Sequence, residues 1–201
     1  MKEPDRAGRR DRILDVAVAA LAEYGYRDTT MLEVARRASA SKETLYAWFG
    51  NKPGLFQAVI ERNAEAVRNV VDGHLHGDAP VEAVLTDFGN ALAGLLLGES
   101  AVAINRAAIS EARTAPILAR ILSESGREAT LPVFIRYLER CRSRGVLDFD
   151  DPEEAAETFI GLLLGDAQVR RLLGVTTTPT SARLRTRAKL ASRKFLLLYG
   201  A

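Results

Sequence analysis

Reactive side chains are scarce in this chain. Cys141 is its one cysteine, so no intrachain disulfide can form and a thiolate metal site lacks ligands. The two histidines, His74 and His76, fall in the turn-like stretch His74-Leu-His-Gly-Asp-Ala-Pro80 with no Cys or third His beside them. A solvated loop is expected there, with no metal site and no cofactor. A hydrolase on a helical scaffold would need a nucleophile beside a base. Cys141 stands alone and no Gly-x-Ser-x-Gly elbow occurs, so an enzyme is not expected. No apolar run approaches roughly 18 residues, and no apolar N-terminal core precedes a cleavage site. Neither membrane spanning nor export is indicated, and a cytoplasmic location is expected. The formal net charge of +2 is too small to announce a nucleic-acid partner, so the distribution of charge has to be read instead.

What is present describes a globular helical chain. Hydrophobic residues make up 47% and charged residues 27% of 201 positions, enough to bury a core. Apolar residues recur at helical spacing and no strand alternation survives, so the fold class is all-α. Residues 1–8 are polar, with Pro4 and Gly8, and read as a disordered basic arm. A helix is expected from about Arg9 to Tyr24, with its apolar stripe at Ile13, Leu14, Ala17, Ala20, Leu21 and Tyr24, stopped by Gly25. Thr30 to Ala38 reads as a short helix with Leu32, Ala35 and Ala38 inward. Ser41 can cap a second short helix from Lys42 to about Trp48. Leu45 and Phe49, four apart, share its inward face. Lys42, Thr44, Tyr46 and Trp48 then point outward, an odd set for a merely solvated face and a sensible one for phosphates and base edges. The linker Ser39-Ala-Ser41 has the length of a helix-turn-helix turn. Gly50 closes the second helix and Lys52-Pro53 opens a long one. The domains expected are a helix-turn-helix unit over 9–53 and a larger helical unit over 54–201. Within the latter, Asp151-Pro152 opens one helix and Thr178-Pro-Thr-Ser181 precedes another. A further helix runs from Pro116 toward Gly145; Gly126 and Pro132 interrupt its pattern, and Pro132 is expected to kink or break it.

Residues 9–64 resemble the DNA-binding domain of the tetracycline-repressor (TetR) family of transcriptional regulators. The resemblance is carried by the Ile13/Ala17/Leu21 helix ending in Glu23-Tyr-Gly-Tyr26, by Thr29-Thr30 and Val34-Ala35, and by Thr44-Leu-Tyr46-x-x-Phe49-x-x-Lys52. One departure is the turn, where Ser39-Ala40 replaces the usual Gly and aliphatic residue. If residue 39 needs φ > 0, Ser costs about 1 kcal/mol relative to Gly. The later segments Glu111-Ala-x-x-x-Pro116-x-Leu118, Arg144-Gly-Val-Leu-Asp148 and Asp151-Pro-x-x-Ala155-Ala-x-x-Phe159-x-Gly161 resemble the AefR-like subgroup of C-terminal domains.

The resemblance implies a ligand-responsive, DNA-binding regulator, a repressor released from a palindromic operator by a small, largely hydrophobic effector. Lys42 and Thr44 would meet base edges. Tyr46, Trp48, Lys52, Thr30 and Ser41 would grip phosphates, and Arg9 and Arg10 would reach along the backbone. Effector walls are expected from Phe88, Leu92, Leu95, Ile109, Phe134, Tyr137, Leu138 and Leu164, with polar contacts from Asn105, Arg106 and Gln168. One small domain covers too little duplex for tight binding, so a homodimer is expected. Two stripes are candidates for its interface: Phe159, Leu162 and Val169, and Leu184, Ala188, Ala191, Phe195 and Leu198. Each stripe could equally complete the chain's own core. The alternative to a repressor is a ligand-binding or protein-partner module whose helix-turn-helix no longer binds DNA; steep salt dependence of DNA binding separates the two.

Overall fold

Side-chain caps and glycines set the element boundaries in this computed structural model, which describes residues 3–75, 77–114 and 116–201. His76 of the expected loop and the first two residues of the expected arm lie outside the described residues. Among those described every regular element is helical, as expected, and the only β pairing is an isolated bridge between Leu147 and Gly200. No single helix among them is long and apolar enough to cross a membrane. The chain divides into two compact units.

The first unit comprises residues 1–62 and 103–126. Helix α1 (Glu3–Asp28) bends at Gly25, whose φ of 76° and ψ of 174° lie outside the helical region. Thr29 Oγ1 donates to Gly25 O at 2.7 Å and closes the bend. Thr30 caps α2 (Met31–Arg37) by accepting Glu33 N–H at 3.2 Å, and Ser41 caps α3 (Lys42–Phe49) by accepting Thr44 N–H at 3.1 Å. Gly50, with φ 72°, ends α3, and α4 (Lys52–Asp72) follows at once. The core gathers Ile13, Leu14 and Leu21 of α1, Val34, Leu45, Phe49 and Phe56. Ile104, Ala107 and Ala108 of α6 (Glu99–Glu111) and Leu118 and Ile121 of α7 (Ile117–Ile121) complete it.

Three expectations change here. Residues 3–8 belong to α1 instead of a disordered arm: Pro4 sits in the first turn, where a missing N–H is harmless, and the Arg and Ala that follow favour helix. Leu32, expected inward, is 63% exposed, because Met31, Val34 and Ala35 form the buried side of α2. The boundary expected at 53/54 falls between Arg62 and Asn63, since Leu55, Phe56 and Val59 pack with α1, and α4 runs through that point without a break.

The second unit holds residues 63–102 and 127–201. It contains the rest of α4, α5 (Val81–Leu97), the start of α6, α8 (Glu128–Ser143), α9 (Pro152–Leu164), α10 (Ala167–Leu172) and α11 (Ser181–Tyr199). Asp151 caps α9 by accepting Glu153 N–H at 2.8 Å, with Pro152 at the first helical position. Phe88 of α5 stacks on Phe134 of α8 at 4.1 Å, and Phe159 of α9 lies 5.2 Å from Phe134 and 5.6 Å from Phe195 of α11. Helix α11 lies close along α5 because Gly89 has no side chain. A Cβ there would meet Phe159, Ala188 and Leu163 at 3.2–3.3 Å.

The helix expected from Pro116 to Gly145 resolves into α7, a π-helical turn over Leu122–Arg127, and α8. Gly126, one of the two expected interruptions, falls in that widened turn, while Pro132 sits inside α8 without ending it. Gly165, at φ 48°, separates α9 from α10 where one helix was expected.

Candidate nucleic-acid interface

Helix α3 buries only Leu45 and Phe49 and turns its other residues outward. Lys42, Glu43 and Tyr46 are exposed, and Thr44 is half-buried beside Ser41, their hydroxyls 2.9 Å apart. The Lys42 ammonium lies 5.6 Å from the centre of the Tyr46 ring. Cation and aromatic hydroxyl thus sit side by side on one solvent face. Trp48 is half-buried, packed at the edge of the core and edge-on to Phe49 at 6.3 Å. Its indole carries the guanidinium of Arg6 at 5.7 Å, and the Phe49 ring carries that of Arg10 at 5.6 Å. Arg9 is half-buried on the same helix. Thr30 and Ser41 are exposed at the N-termini of α2 and α3, and their side-chain oxygens are used as caps. The turn keeps its geometry despite Ser39, whose φ of 50° is the one positive value at a non-glycine among the described residues.

Lys52 is placed differently from the phosphate-gripping role read for it. Its ammonium donates to Tyr26 O at 2.7 Å and Arg27 O at 3.1 Å and lies 4.5 Å from the Tyr26 ring. Two of its three N–H bonds therefore tie the start of α4 to the end of α1. Partial burial lowers its pKa.

A second network was not anticipated. Arg37 donates to Glu23 and Glu33, each at 2.7 Å, and to the Tyr24 hydroxyl, while Arg36 reaches Glu33 at 2.8 Å. Hydrogen bonds from Arg36 and Arg37 lower the Glu33 pKa to about 2, and Arg37 lowers that of Glu23. The i,i+4 spacing of Glu33 and Arg37 was the available signal. The link to Glu23 was not legible, because it joins two helices. The network orients α2, and with it α3, on α1.

The residues read as effector walls are divided between the two units. Phe88, Leu92, Phe134, Tyr137, Leu138 and Leu164 share the core of the second unit, with Leu95 half-buried against it. Gln168 is half-buried on α10. Asn105, Arg106 and Ile109 belong to the first unit, where Ile109 is 63% exposed. Ile104, Ala107 and Ala108 occupy the inward stripe of α6, and Ile109 lies off that stripe. The central rings fill their own space by stacking. Tyr137 also borders a cleft of about 200 Å³ with His74, Val81, Arg140 and Cys141. Burial pushes its hydroxyl pKa upward and raises that of the Cys141 thiol.

The two stripes read as an interface also divide. Phe159, Ala188, Ala191 and Phe195 are at most 1% exposed and form the chain's own core, which removes them from a partner-facing role. Val169 and Leu198 are 56% and 62% exposed. Leu162 and Leu184 line an open groove of about 670 Å³ with Arg170, Arg187 and Leu190. Leu190 and Leu197, which the stripes omitted, are exposed on α11.

Comparison with known proteins places this geometry. Residues 13–59 match the family model of bacterial regulatory proteins, tetR family. Residues 83–201 match that of the AefR-like transcriptional repressor, C-terminal domain. A TetR transcriptional regulator from Agrobacterium tumefaciens is 35% identical, with a TM-score of 0.74 over 96% of this chain and 95% of its own. The flavonoid-responsive regulator FrrA is 30% identical, with a TM-score of 0.67 over 96% and 98%. The HTH-type transcriptional repressor ComR of Escherichia coli (strain K12) is 34% identical over 85 residues, spanning 42% of this chain and 40% of ComR.

Proposed function

The chain belongs to the TetR family of transcriptional regulators, with an AefR-like C-terminal domain, and on that premise we propose that it is a homodimeric repressor released from a palindromic operator by a small hydrophobic effector. The observation that carries this reading is the division of labour on α3. Two residues anchor it, both its ends are capped, and Lys42, Thr44 and Tyr46 are left on a free face. Such a helix presents its N-terminal side chains to base edges in a major groove, while Thr30, Ser41, Arg9 and Arg10 position it on phosphates. Two copies read two half-sites about 34 Å apart. Leu162, Val169, Leu190, Leu197 and Leu198, on α9, α10 and α11, supply apolar surface for the second copy. They replace the buried members of the two stripes.

The effector is an aromatic, largely apolar molecule, a class supported by the name of the flavonoid-responsive relative and by the ring-lined core around Phe88, Phe134 and Tyr137. Those rings are stacked on one another, so the effector binds a state in which they part. It releases DNA only as far as it prefers that state.

The test is selection of bound fragments from a genomic library across a salt series, with and without a pool of planar phenolic compounds. A recovered palindrome, with affinity falling steeply as salt rises, supports a DNA reader. Release by one phenolic fraction supports the effector class. Failure to enrich any site at low salt would overturn the repressor reading.

A further inference from the structure

A guanidinium that leaves water needs hydrogen-bond partners, and the second unit shows how its fold supplies them. Arg171 of α10 is 6% exposed. It donates through Nε to Leu97 O at 3.0 Å and through Nη1 to Thr176 O at 2.8 Å. Its Nη2 reaches Glu99 and the Thr178 hydroxyl, each at 3.0 Å. Arg140 of α8 likewise donates to the carbonyls of His74, Leu75 and Gly77.

Arg68, on the part of α4 that belongs to the same unit, is the exception. Its Nη1 is sealed from solvent without a hydrogen-bond partner, the one such side-chain nitrogen or oxygen among the described residues. Two carboxylates stand within helical reach, Glu65 three residues before it and Asp72 four after, and both are exposed. Nη1 meets neither of them. Long cationic side chains ordinarily keep the charged head in water. This one lies on the buried side of its helix, where its neighbours Ala64 and Val71 are 2% and 1% exposed.

Sealing a charged donor from water without a partner is costly, and an arginine does not escape the cost by losing its proton. A cation already desolvated and left unpaired by the fold is prepared for an anion that arrives from outside. The forked guanidinium matches the two oxygens of a carboxylate. The rest of the ligand has to suit apolar surroundings. Val67 and Val71, on either side of Arg68 in the chain, belong to the core that also holds Phe88, Phe134 and Tyr137. A carboxylate on an aromatic body meets both demands, and a neutral aromatic meets only the second.

We propose that Arg68 is the anion receptor of the effector site, and that the effector is an aromatic carboxylate whose acid group pairs with Arg68 Nη1. This rests on the effector reading above and narrows it, from an aromatic molecule to an acidic one.

The experiment uses the full chain without DNA and three matched pairs of probes: benzoate with benzamide, cinnamate with cinnamamide, and naphthoate with naphthamide. Each pair shares its ring and differs in charge. Titration calorimetry reads affinity and a melting curve reads stability. At least one acid is expected to bind about tenfold or more tighter than its amide. Arg68→Gln should weaken that acid about a hundredfold, as when one member of a buried charge pair is removed, and leave the amide unchanged. Arg68→Lys keeps a cation without the fork and should fall between the two. Without ligand, Arg68→Met should melt at or above the native temperature, since it removes a desolvated charge that nothing pairs. A lower melting temperature would show that the fold itself uses the charge and would overturn the proposal. Acids and amides binding alike, or an acid whose affinity survives Arg68→Gln, would overturn the anion receptor and leave an aromatic effector in place. Binding of no probe, acid or amide, would overturn both.

Discussion

Helices α3 and α11 both leave large side chains in solvent, and they do so for opposite reasons. Helix α3 is eight residues long and is anchored by Leu45 and Phe49, so its free face is what packing never needed. Helix α11 is 19 residues long and gives Ala188, Ala191, Ser192 and Phe195 to the core of its own unit. What it leaves outside, Leu190, Leu197, Leu198 and a set of cations, is what that core had no room for. An apolar stripe therefore belongs first to the nearest core, and a partner receives the remainder. On α3 the free face is polar and aromatic, and on α11 it is apolar and basic. On the reading proposed above, the first would meet a nucleic acid and the second a second copy of the chain.

The comparison breaks most visibly at Phe195. Phe195→Ala should cost about 3–5 kcal/mol of stability by urea unfolding, as for a fully buried aromatic; a change below about 1 kcal/mol would place the residue outside the core. Leu197→Glu with Leu198→Glu should instead leave the protomer's stability nearly unchanged, since surface substitutions usually fall within about 0.5 kcal/mol. Light scattering should then report a monomer, and an intact dimer would move the interface off α11. On the other helix, Lys42→Ala with Tyr46→Ala should weaken operator binding by roughly 1–3 kcal/mol with no change in mass or melting temperature. Lys52→Ala sharpens the contrast, because its ammonium is bonded to Tyr26 O and Arg27 O. It should lower stability first, and a variant that melts like the native protein while losing DNA affinity would restore Lys52 to the phosphates.

Two smaller effects probe the frame that holds α3. Ser39→Gly removes a side chain from a left-handed position and should stabilise the protein by up to about 1 kcal/mol, read as a rise in melting temperature. Glu33 has a folded pKa lowered to about 2, against an unfolded value near 4.3. Its contribution is present above pH 4.3 and is lost as pH falls from there toward 2. Glu33→Gln should flatten that acid limb in a pH series of melting temperatures, and an unchanged limb would show that other carboxylates set it.

The legible parts were those decided within a turn or two of chain. Thr30 and Ser41 cap, Gly50 terminates, and Leu45 with Phe49 anchors, all from spacings of two to four residues. Leu32 was misread because Met31, Val34 and Ala35 offer an equally regular apolar face, and only the position of α1 chooses between them. Ile109 was misread for the same reason on α6, where Ile104, Ala107 and Ala108 took the inward side. The Arg37 network and the seat of Arg6 join different helices, and no local pattern announces a pairing of that kind.

By itself the sequence determined the helical class, the capped recognition helix with its outward Lys42, Thr44 and Tyr46, and the resemblance that identifies the family. Those features rest on backbone hydrogen bonds and side-chain periodicity over three or four residues, which any stretch of chain carries with it. The tertiary structure decided which stripe enters a core, that the ammonium of Lys52 turns inward, and that Asp11 and Asp15 of α1 pair with Arg62 of α4. Burial and charge pairing depend on which distant residue arrives alongside, and chain order does not contain that until the helices pack.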